Sequence, residues 1–503
     1  MFDSDFEKGR YHPLVLPEYN VPLTIDGLRE IFSSCSDFEV REIAFGLEKN
    51  VRLNVCWLDG IVSGGEVSSS VLRPLTQSAR AGNARDEAQA LAAVLCGAVY
   101  SCSVKQCTAM DETVSALTHG HCAVIFDTLQ TALCFEVRSE NTRAISEPTL
   151  EKALKGAKDS FVETLRTNTA LVRRRICTPK LKLIESTVGR KSGTRVAVMF
   201  IDGVAAPETV KELAARLDAL DIDALLGVGI LEEGIVDAPS SPFPQLIHTE
   251  RPDRFSMYLM DGRVGLLVDG IPVGLVLPVT FAEFMKVTGD ANLHYLVSSV
   301  TAAVRYFSLA LSALLPAFYV AIAMYHQEMI PSRLLLSIIE AKQDVPFSTA
   351  LEVIGMLVAF TLLQEAGLRL PNPIGDTVSI IGALIVGQSA VEARVTSPIA
   401  IIVVALSGIA GYTLPSQDMG SAVRLVRFVL VLAAIAAGLF GVAAASCLIV
   451  FWLARIDSFG TSYTAPLSEA SPGSLSRLLL RKPKTQDKYR DPLLKTPDRR
   501  RQK

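Results

Sequence analysis

The strongest constraint on this chain is a run of residues, 428–454, that contains no charged side chain. An α-helix rises about 1.5 Å per residue, so this run is longer than the ~30 Å hydrocarbon core of a bilayer. A helix that is apolar on every face lies inside a large core or spans a membrane. We therefore expect the chain to be anchored in a membrane here, and any function must be compatible with that anchor.

Charged and apolar residues are separated along the chain. Half of the 503 residues are hydrophobic, and the mean hydropathy is +0.34. Charges occur throughout the first 295 residues or so, whereas the following stretch is mostly apolar. This pattern predicts five parts: an N-terminal extension (1–25), two soluble α/β subdomains (26–150 and 151–295), a helical transmembrane domain (296–455) and a basic tail (456–503).

The charge of the tail indicates its side of the membrane. Residues 455–503 contain twelve Lys or Arg against five Asp or Glu. Basic residues beside a span favour the cytoplasmic side, and the N-terminus lacks the pattern of a signal peptide. We expect the soluble region and the tail to be cytosolic. Nucleic-acid binding is disfavoured, because the tail has no interleaved aromatic residues.

The soluble region contains an internal repeat. RLNVCWLDG at 52–60 aligns with RVAVMFIDG at 195–203, and GHCAVIFD at 120–127 aligns with GRVGLLVD at 262–269. The two offsets, 143 and 142 residues, are nearly equal. This predicts two tandem, similar α/β subdomains, each with an early strand, helices and a late hairpin.

The sequence gives weak signals for catalysis or metal binding. Four aspartates follow strands, but Asp-Gly is a favoured turn pair, so a structural role is the simpler interpretation: Asp59, Asp127, Asp202 and Asp269. His119 and His121 have no further ligand cluster nearby. The nine cysteines form no CxxC pair, which favours reduced thiols. We predict no enzyme, no cofactor and no metal.

Three long uncharged runs in the apolar part predict spans, at 306–325, 395–417 and 428–454. The soluble region and tail share one side, so the number of crossings must be even. We therefore predict a fourth span at 377–391. Residues 347–370 are then expected at the interface, or as a short re-entrant helix. Residues 326–345 and 417–427 fall on the non-cytoplasmic side.

Ionisable and polar residues in the apolar part are candidates for a polar path, because facing lipid is costly. Glu352 and Glu365 either cap a short apolar helix at the headgroups or flank a water-filled pore. In the second case, Met356, Ala359, Phe360 and Leu363 would form an apolar gate. The remaining candidates are Gln388, Glu392 and Arg394, of which the last two are expected in a short cytoplasmic turn.

A proline-rich segment is predicted to link the two parts of the chain. Its first part is Phe243, Pro244 and Gln245, which follow Pro242. Its second part is Glu250, Arg251, Pro252 and Asp253. Prolines fix an extended path, so a rigid connector is one interpretation and a recognition site is the other.

Many motifs of this chain resemble those of GerA-type spore germination proteins, the A subunits of nutrient germinant receptors. They span roughly residues 26–467: SDFEVRE (36–42), LRPL (72–75), ETLRTNTALVRRR (163–175), FPQ (243–245), TERPD (249–253), YHQEMIP (325–331), EAGLRLP (365–371), PIGDTVSIIG (373–382), GQSAVEA (387–393) and Ser397-Pro398. The SpoVAF-like paralogues share this architecture, and the motifs do not separate the two groups.

The resemblance implies a multi-domain fold: a cytosolic α/β region of two similar, thioredoxin-like subdomains, followed by a helical transmembrane domain. It implies a multi-pass protein of the spore inner membrane that works beside a transporter-like B subunit and a lipoprotein C subunit. It also implies a homo-oligomer, with a pentamer suspected, that conducts ions when a nutrient binds. The alternatives are a SpoVAF-like accessory channel or a membrane-anchored scaffold without a pore.

Overall fold

The computed structural model describes most of the chain. The described residues are 19, 21–45, 51–77, 84–99, 103–137, 148, 151, 156–369, 387–468, 479–481 and 483–502. Most of the predicted extension 1–25 and of the predicted span 377–391 lies outside these residues.

The first subdomain is a five-stranded antiparallel sheet covered by short helices. Its strands run in the order β1-β2-β4-β5-β3. The elements are α1 (Ile25–Ile31), β1 (Phe38–Phe45), β2 (Val51–Leu58), α2 (Gly64–Val67), α3 (Arg73–Gln77), α4 (Glu87–Ala93), β3 (Val104–Cys107), α5 (Met110–Thr118), β4 (His121–Phe126) and β5 (Thr131–Glu136).

The second subdomain repeats this arrangement, with the strand order β6-β7-β9-β10-β8. Its elements are α6 (Leu165–Arg173), β6 (Leu181–Val188), β7 (Thr194–Ile201), α7 (Pro207–Asp218), α8 (Val228–Ile235), β8 (Ile247–Thr249), α9 (Pro252–Asp261), β9 (Val264–Val268) and β10 (Gly274–Leu277). The predicted α/β class is confirmed. All pairings within the two described sheets are antiparallel, so the likeness to thioredoxin does not extend to strand direction.

The register confirms the duplication residue by residue. Asn54 pairs with Ile125 in the first sheet, and Ala197 pairs with Leu267 in the second, at the same offsets of 143 and 142. The aspartate that follows each late strand also repeats its contact. Asp127 accepts a hydrogen bond from the amide that opens α1 (2.7 Å), and the equivalent Asp269 accepts one from the amide that opens α6 (3.0 Å). Both carboxylates stabilise a helix N-terminus, which supports their structural interpretation.

The two subdomains are joined by a buried ion pair. Arg173 of α6 donates from Nη2 to Asp37 (2.7 Å) and also from Nε, and both side chains are almost fully buried. Arg173 Nη1 donates to the carbonyl oxygen of Leu181 at 3.0 Å. Because removing one partner of a buried pair leaves an uncompensated charge, loss of either side chain is expected to destabilise the interface between the subdomains.

The apolar domain contains the helices α10 (Tyr295–Tyr325), α11 (Ser332–Lys342), α12 (Thr349–Arg369), α13 (Pro398–Tyr412) and α14 (Gln417–Ala454), and residues 387–392 are also helical. Among the described residues, α10, α14 and residues 349–367 of α12 are long and apolar enough to cross a membrane. Residues 349–369 thus form one long helix rather than a short one, with Glu352 and Glu365 towards its two ends. The predicted span 395–417 is a helix of only 15 residues.

Helix α14 is a hairpin with two antiparallel arms, 417–436 and 439–454. Its backbone leaves helical values at Ala437 and at Gly438, where φ is +59° and ψ is −140°. A Cβ atom on Gly441 would collide with the carbonyl oxygen of Ala433. Residues eight apart in a continuous helix lie about 12 Å apart along the axis, so this proximity requires a reversal. The run of residues 428–454 is thus not one straight span.

The hairpin gives the helical domain a proximal end, beside the second subdomain, and a distal end. Gly438 lies at the distal end, where a Cβ would be 3.1 Å from Tyr325 at the end of α10. Both ends of α14 contact the second subdomain. Met419, near the start of α14, is part of the core of that subdomain, and Leu453, near the end of α14, packs against the same core. The predicted placement of 417–427 on the far side from the soluble region is therefore wrong.

We predict that Gly438→Ala destabilises the protein by about 1–3 kcal/mol, because an L residue is strained at this φ and ψ and its Cβ crowds Tyr325. The thermal unfolding midpoint in detergent measures the effect. The matched control is Gly420→Ala in the first turn of α14, where a Cβ meets nothing within 4 Å. An equal response of the two variants would contradict the hairpin turn.

Candidate functional site

The candidate site is the junction at which the second subdomain holds both ends of the α14 hairpin. We call it the junction, and it consists of β8, the segment 242–246, the two ends of α14 and the start of the tail. Met419, Ala422 and Val423 of the first arm lie in the same hydrophobic core as Leu259 and Leu267 of the second subdomain. The soluble core therefore continues into the membrane helices.

His248 is the polar contact to the first arm. It lies on β8, the edge strand of the second sheet. Its Nδ1 is 3.0 Å from a carboxylate oxygen of Asp418, and its Nε2 is 3.4 Å from Glu232 of α8. Burial lowers the pKa of His248, but the hydrogen bond to Asp418 and the negative charges of Asp418 and Glu232 outweigh it and raise the pKa to about 9. At neutral pH the imidazolium is an ionic link between the sheet and α14.

The predicted connector is part of this junction rather than a link between the halves. Phe243 is buried, with its ring 6.2 Å from that of Trp452 in the second arm. The carbonyl oxygen of Pro244 accepts a hydrogen bond from the buried Tyr463 hydroxyl at 2.9 Å. The side-chain amide of Gln245 makes two hydrogen bonds to the backbone of Ala238. Its Nε2 donates to the carbonyl oxygen at 2.6 Å, and its Oε1 accepts from the N–H at 3.1 Å.

The second half of the motif also lies inside the subdomain. Arg251 is buried and donates two hydrogen bonds to Asp253, at 3.0 and 2.6 Å. Pro252 opens α9, and the carbonyl oxygen of Glu250 accepts from Phe161 at 2.8 Å. These contacts build the subdomain, so the connector prediction is wrong. The late hairpin that the repeat predicted, β9 and β10, follows the prolines, so the motif lies within the second subdomain.

The start of the tail fastens the second arm to the subdomain. The backbone carbonyl oxygen of Tyr463 accepts a hydrogen bond from the Phe281 N–H at 2.7 Å, and Ser458 Oγ accepts one from the Val279 N–H at 3.1 Å. Further along, Arg501 pairs with Asp261 at 3.0 Å. Part of the basic tail is thus bound to the second subdomain.

Glu352 lies at the distal end in a buried polar cluster. One of its carboxylate oxygens is 3.0 Å from Lys342 Nζ of α11, and the other accepts from the backbone N–H of Ser397, the N-cap of α13, at 2.9 Å. The side chain is fully buried. It therefore ties α11, α12 and α13 together within one chain.

The residues of the predicted gate face the helices of their own chain. Phe360 packs on Gly408 and, at 6.4 Å between ring centroids, on Tyr412 of α13. Met356 is part of the same bundle core, and Ala359 and Leu363 are half-buried. The exposed face of α12 carries Leu351, Gly355, Val358, Leu362 and Glu365 instead.

The other polar candidates are exposed, and they do not meet the gate residues. Gln388 and Glu392 are exposed. Arg394 pairs with Asp344 at 2.9 Å, close to the Lys342–Glu352 cluster at the distal end. Arg394 therefore lies at the distal end of the helical domain, away from the second subdomain.

Sequence reasoning missed His248, Asp418, Trp452 and Tyr463. Their signal is spatial, because His248 and Asp418 are 170 residues apart. In the part of the chain that the structure describes, no group of three or more His, Cys, Asp or Glu is placed to hold a metal ion.

The comparisons with known proteins identify the family. The Bacillus/Clostridium GerA spore germination protein family matches residues 26–493. The chain belongs to the GerA family. This confirms the resemblance inferred from the motifs.

Relatives of the GerA family match along nearly the whole chain. Spore germination protein KA of Bacillus subtilis (strain 168) is 34% identical over 474 residues, which cover 94% of this chain and 86% of that protein. The uncharacterized membrane protein YfkQ of the same organism is also 34% identical, over 92% of this chain and 89% of its own length. The crystal structure of the N-terminal domain of the A subunit of the Bacillus megaterium spore germinant receptor GerK3 is 29% identical. It covers 52% of this chain and 96% of that one, with a TM-score of 0.41.

We predict that the junction weakens as the pH rises. Because the pKa of His248 is raised from 6.5 to about 9, its ionic link is fully present below pH 6.5 and is lost as the pH passes through about 9. Thermal unfolding in detergent between pH 6 and 10 should show this loss, which His248→Gln abolishes. The matched control is His119→Gln, an exposed histidine of the first subdomain. An unchanged pH profile in His248→Gln would refute the link.

Proposed function

We propose that this chain is the membrane subunit of a spore germinant receptor that opens a path for monovalent cations when a nutrient binds. Membership of the GerA family supports the germination role. An α/β region joined to helices long enough to cross a membrane supports a receptor that connects two compartments. The site of action would be the spore inner membrane, with the soluble region and tail in the cytosol.

The observation that carries the proposal is that the second subdomain holds both ends of α14. A displacement of this subdomain must move both arms together, because the core at the junction is closely packed. A nutrient that binds the open form better than the closed form supplies the energy for the change. In this proposal a partner subunit binds the nutrient, and the junction transmits the movement.

The ion path would form between copies of the chain. The predicted gate residues pack within their own chain, whereas the opposite face of α12 is exposed and mostly apolar. A ring of α12 helices, for which a pentamer is our hypothesis, would present Leu351, Val358 and Leu362 to a shared axis. Such an apolar constriction gates by dewetting. Glu365 at the proximal end of α12 would attract cations to its mouth.

The partners would be a transporter-like B subunit, a lipoprotein C subunit and membrane lipid. The alternative function is a SpoVAF-like accessory channel, or a scaffold without a pore. Met356 and Phe360 pack against helices of their own chain, so they do not line a channel within one copy. This packing is the observation that favours the scaffold.

We predict that proteoliposomes containing this chain and its partners release K⁺ when a panel of amino acids, sugars and nucleosides is added. Val358→Ser should raise the basal leak by roughly tenfold, because a hydroxyl wets the apolar constriction. The matched control is Val450→Ser, on an exposed apolar face of α14. If the complete complex releases no K⁺ with any nutrient of the panel, in the wild-type or the Val358→Ser form, that result would favour the scaffold.

A further inference from the structure

A buried arginine in the helical domain lacks a counter-charge. Arg427 lies on the first arm of α14 and is 1% exposed. Its side chain points between α14 and α13, where Nη1 donates to the hydroxyl of Ser407 at 3.2 Å. The arginine one turn earlier, Arg424, differs, because it is only half-buried.

The guanidinium uses only part of its hydrogen-bonding capacity. An arginine side chain carries five N–H donors, and among the described residues Ser407 is the one acceptor of Arg427. Its Nε is buried and has no acceptor. No described carboxylate lies within 4.0 Å. A buried charge is normally paired or hydrogen-bonded on all sides, so this arrangement is incomplete.

Small and hydroxyl-bearing residues surround this charge. Ser407 is fully buried on α13, and its hydroxyl donates to the carbonyl oxygen of Val404 at 2.9 Å. One turn later, Gly411 faces the buried Ser312 of α10, whose Oγ would be 3.1 Å from a Cβ at that glycine. The absence of a side chain at Gly411 thus lets α13 and α10 approach closely one turn from Ser407.

We propose that Arg427 binds a small monovalent anion, either a halide or a one-carbon carboxylate, between α10, α13 and α14. The unused N–H donors of the guanidinium bind the anion, and their charge is neutralised by it. A single positive charge matches a single negative one. The enclosed position excludes larger anions. This site does not depend on the proposed function, because it concerns the stability of one chain.

The test uses the full-length chain in detergent, titrated with sodium chloride or sodium formate against sodium gluconate, at constant pH and ionic strength. Gluconate serves as the bulky reference anion. The thermal unfolding midpoint should rise by several degrees, saturably, in chloride or formate. A rise of the midpoint in chloride alone indicates a halide site, and a rise in formate indicates a site for a one-carbon carboxylate. The absence of a saturable difference from gluconate in the wild-type protein would overturn the proposal, whether or not the variants fold.

Two variants assign the effect to this residue. Arg427→Gln should lose the anion dependence, and Arg424→Gln should keep it. Retention of the saturable rise in Arg427→Gln would overturn the site, because general salt effects act on both variants. Arg427→Met should match or exceed the wild-type midpoint in gluconate but not in chloride. A lower midpoint of this variant by the same amount in every salt would assign Arg427 to packing and contradict anion binding.

Discussion

The reversal of the chain within α14 is the constraint on which the rest of the molecule depends. A straight helix from residue 417 to 454 would carry the tail away from the soluble region by about 57 Å. The turn at Gly438 returns it instead, so that Phe243 meets Trp452 and Tyr463 reaches Pro244. Without that return, the second subdomain would contact only one arm, and the tail would have no surface to bind.

The duplication of the soluble region has produced two copies with different tasks. Both keep the same strand order, and both use an aspartate after the late strand to stabilise their first helix. The second copy alone supplies the junction, through His248 and the segment that begins at Phe243. In the part of the chain that the structure describes, the first copy contacts the second through the buried Asp37–Arg173 pair, the Asp59–Arg166 pair and the Lys182–Ile31 hydrogen bond. A signal arriving at the first copy would pass through this interface.

Local patterns in the sequence were sufficient for the class of fold and for the duplication. The offsets of 143 and 142 residues reappear in the strand register, because repeated strands keep their alternation of faces. The hairpin was not predictable from hydropathy, because an uncharged run looks the same whether it continues or reverses. Its cue was Gly438, one of two glycines in an Ala-rich run. The roles of His248 and Glu352 depend on partners distant in sequence, so no local pattern indicates them.

The central claim, that α14 folds back on itself, is tested most directly by a distance between its ends. Spin labels at Gln417 and Arg455, measured by pulsed electron paramagnetic resonance in lipid, should lie well below about 30 Å apart. A straight helix of the same length would separate them by about 57 Å. A measured distance near the longer value would contradict the hairpin, and with it the junction that the proposed function requires.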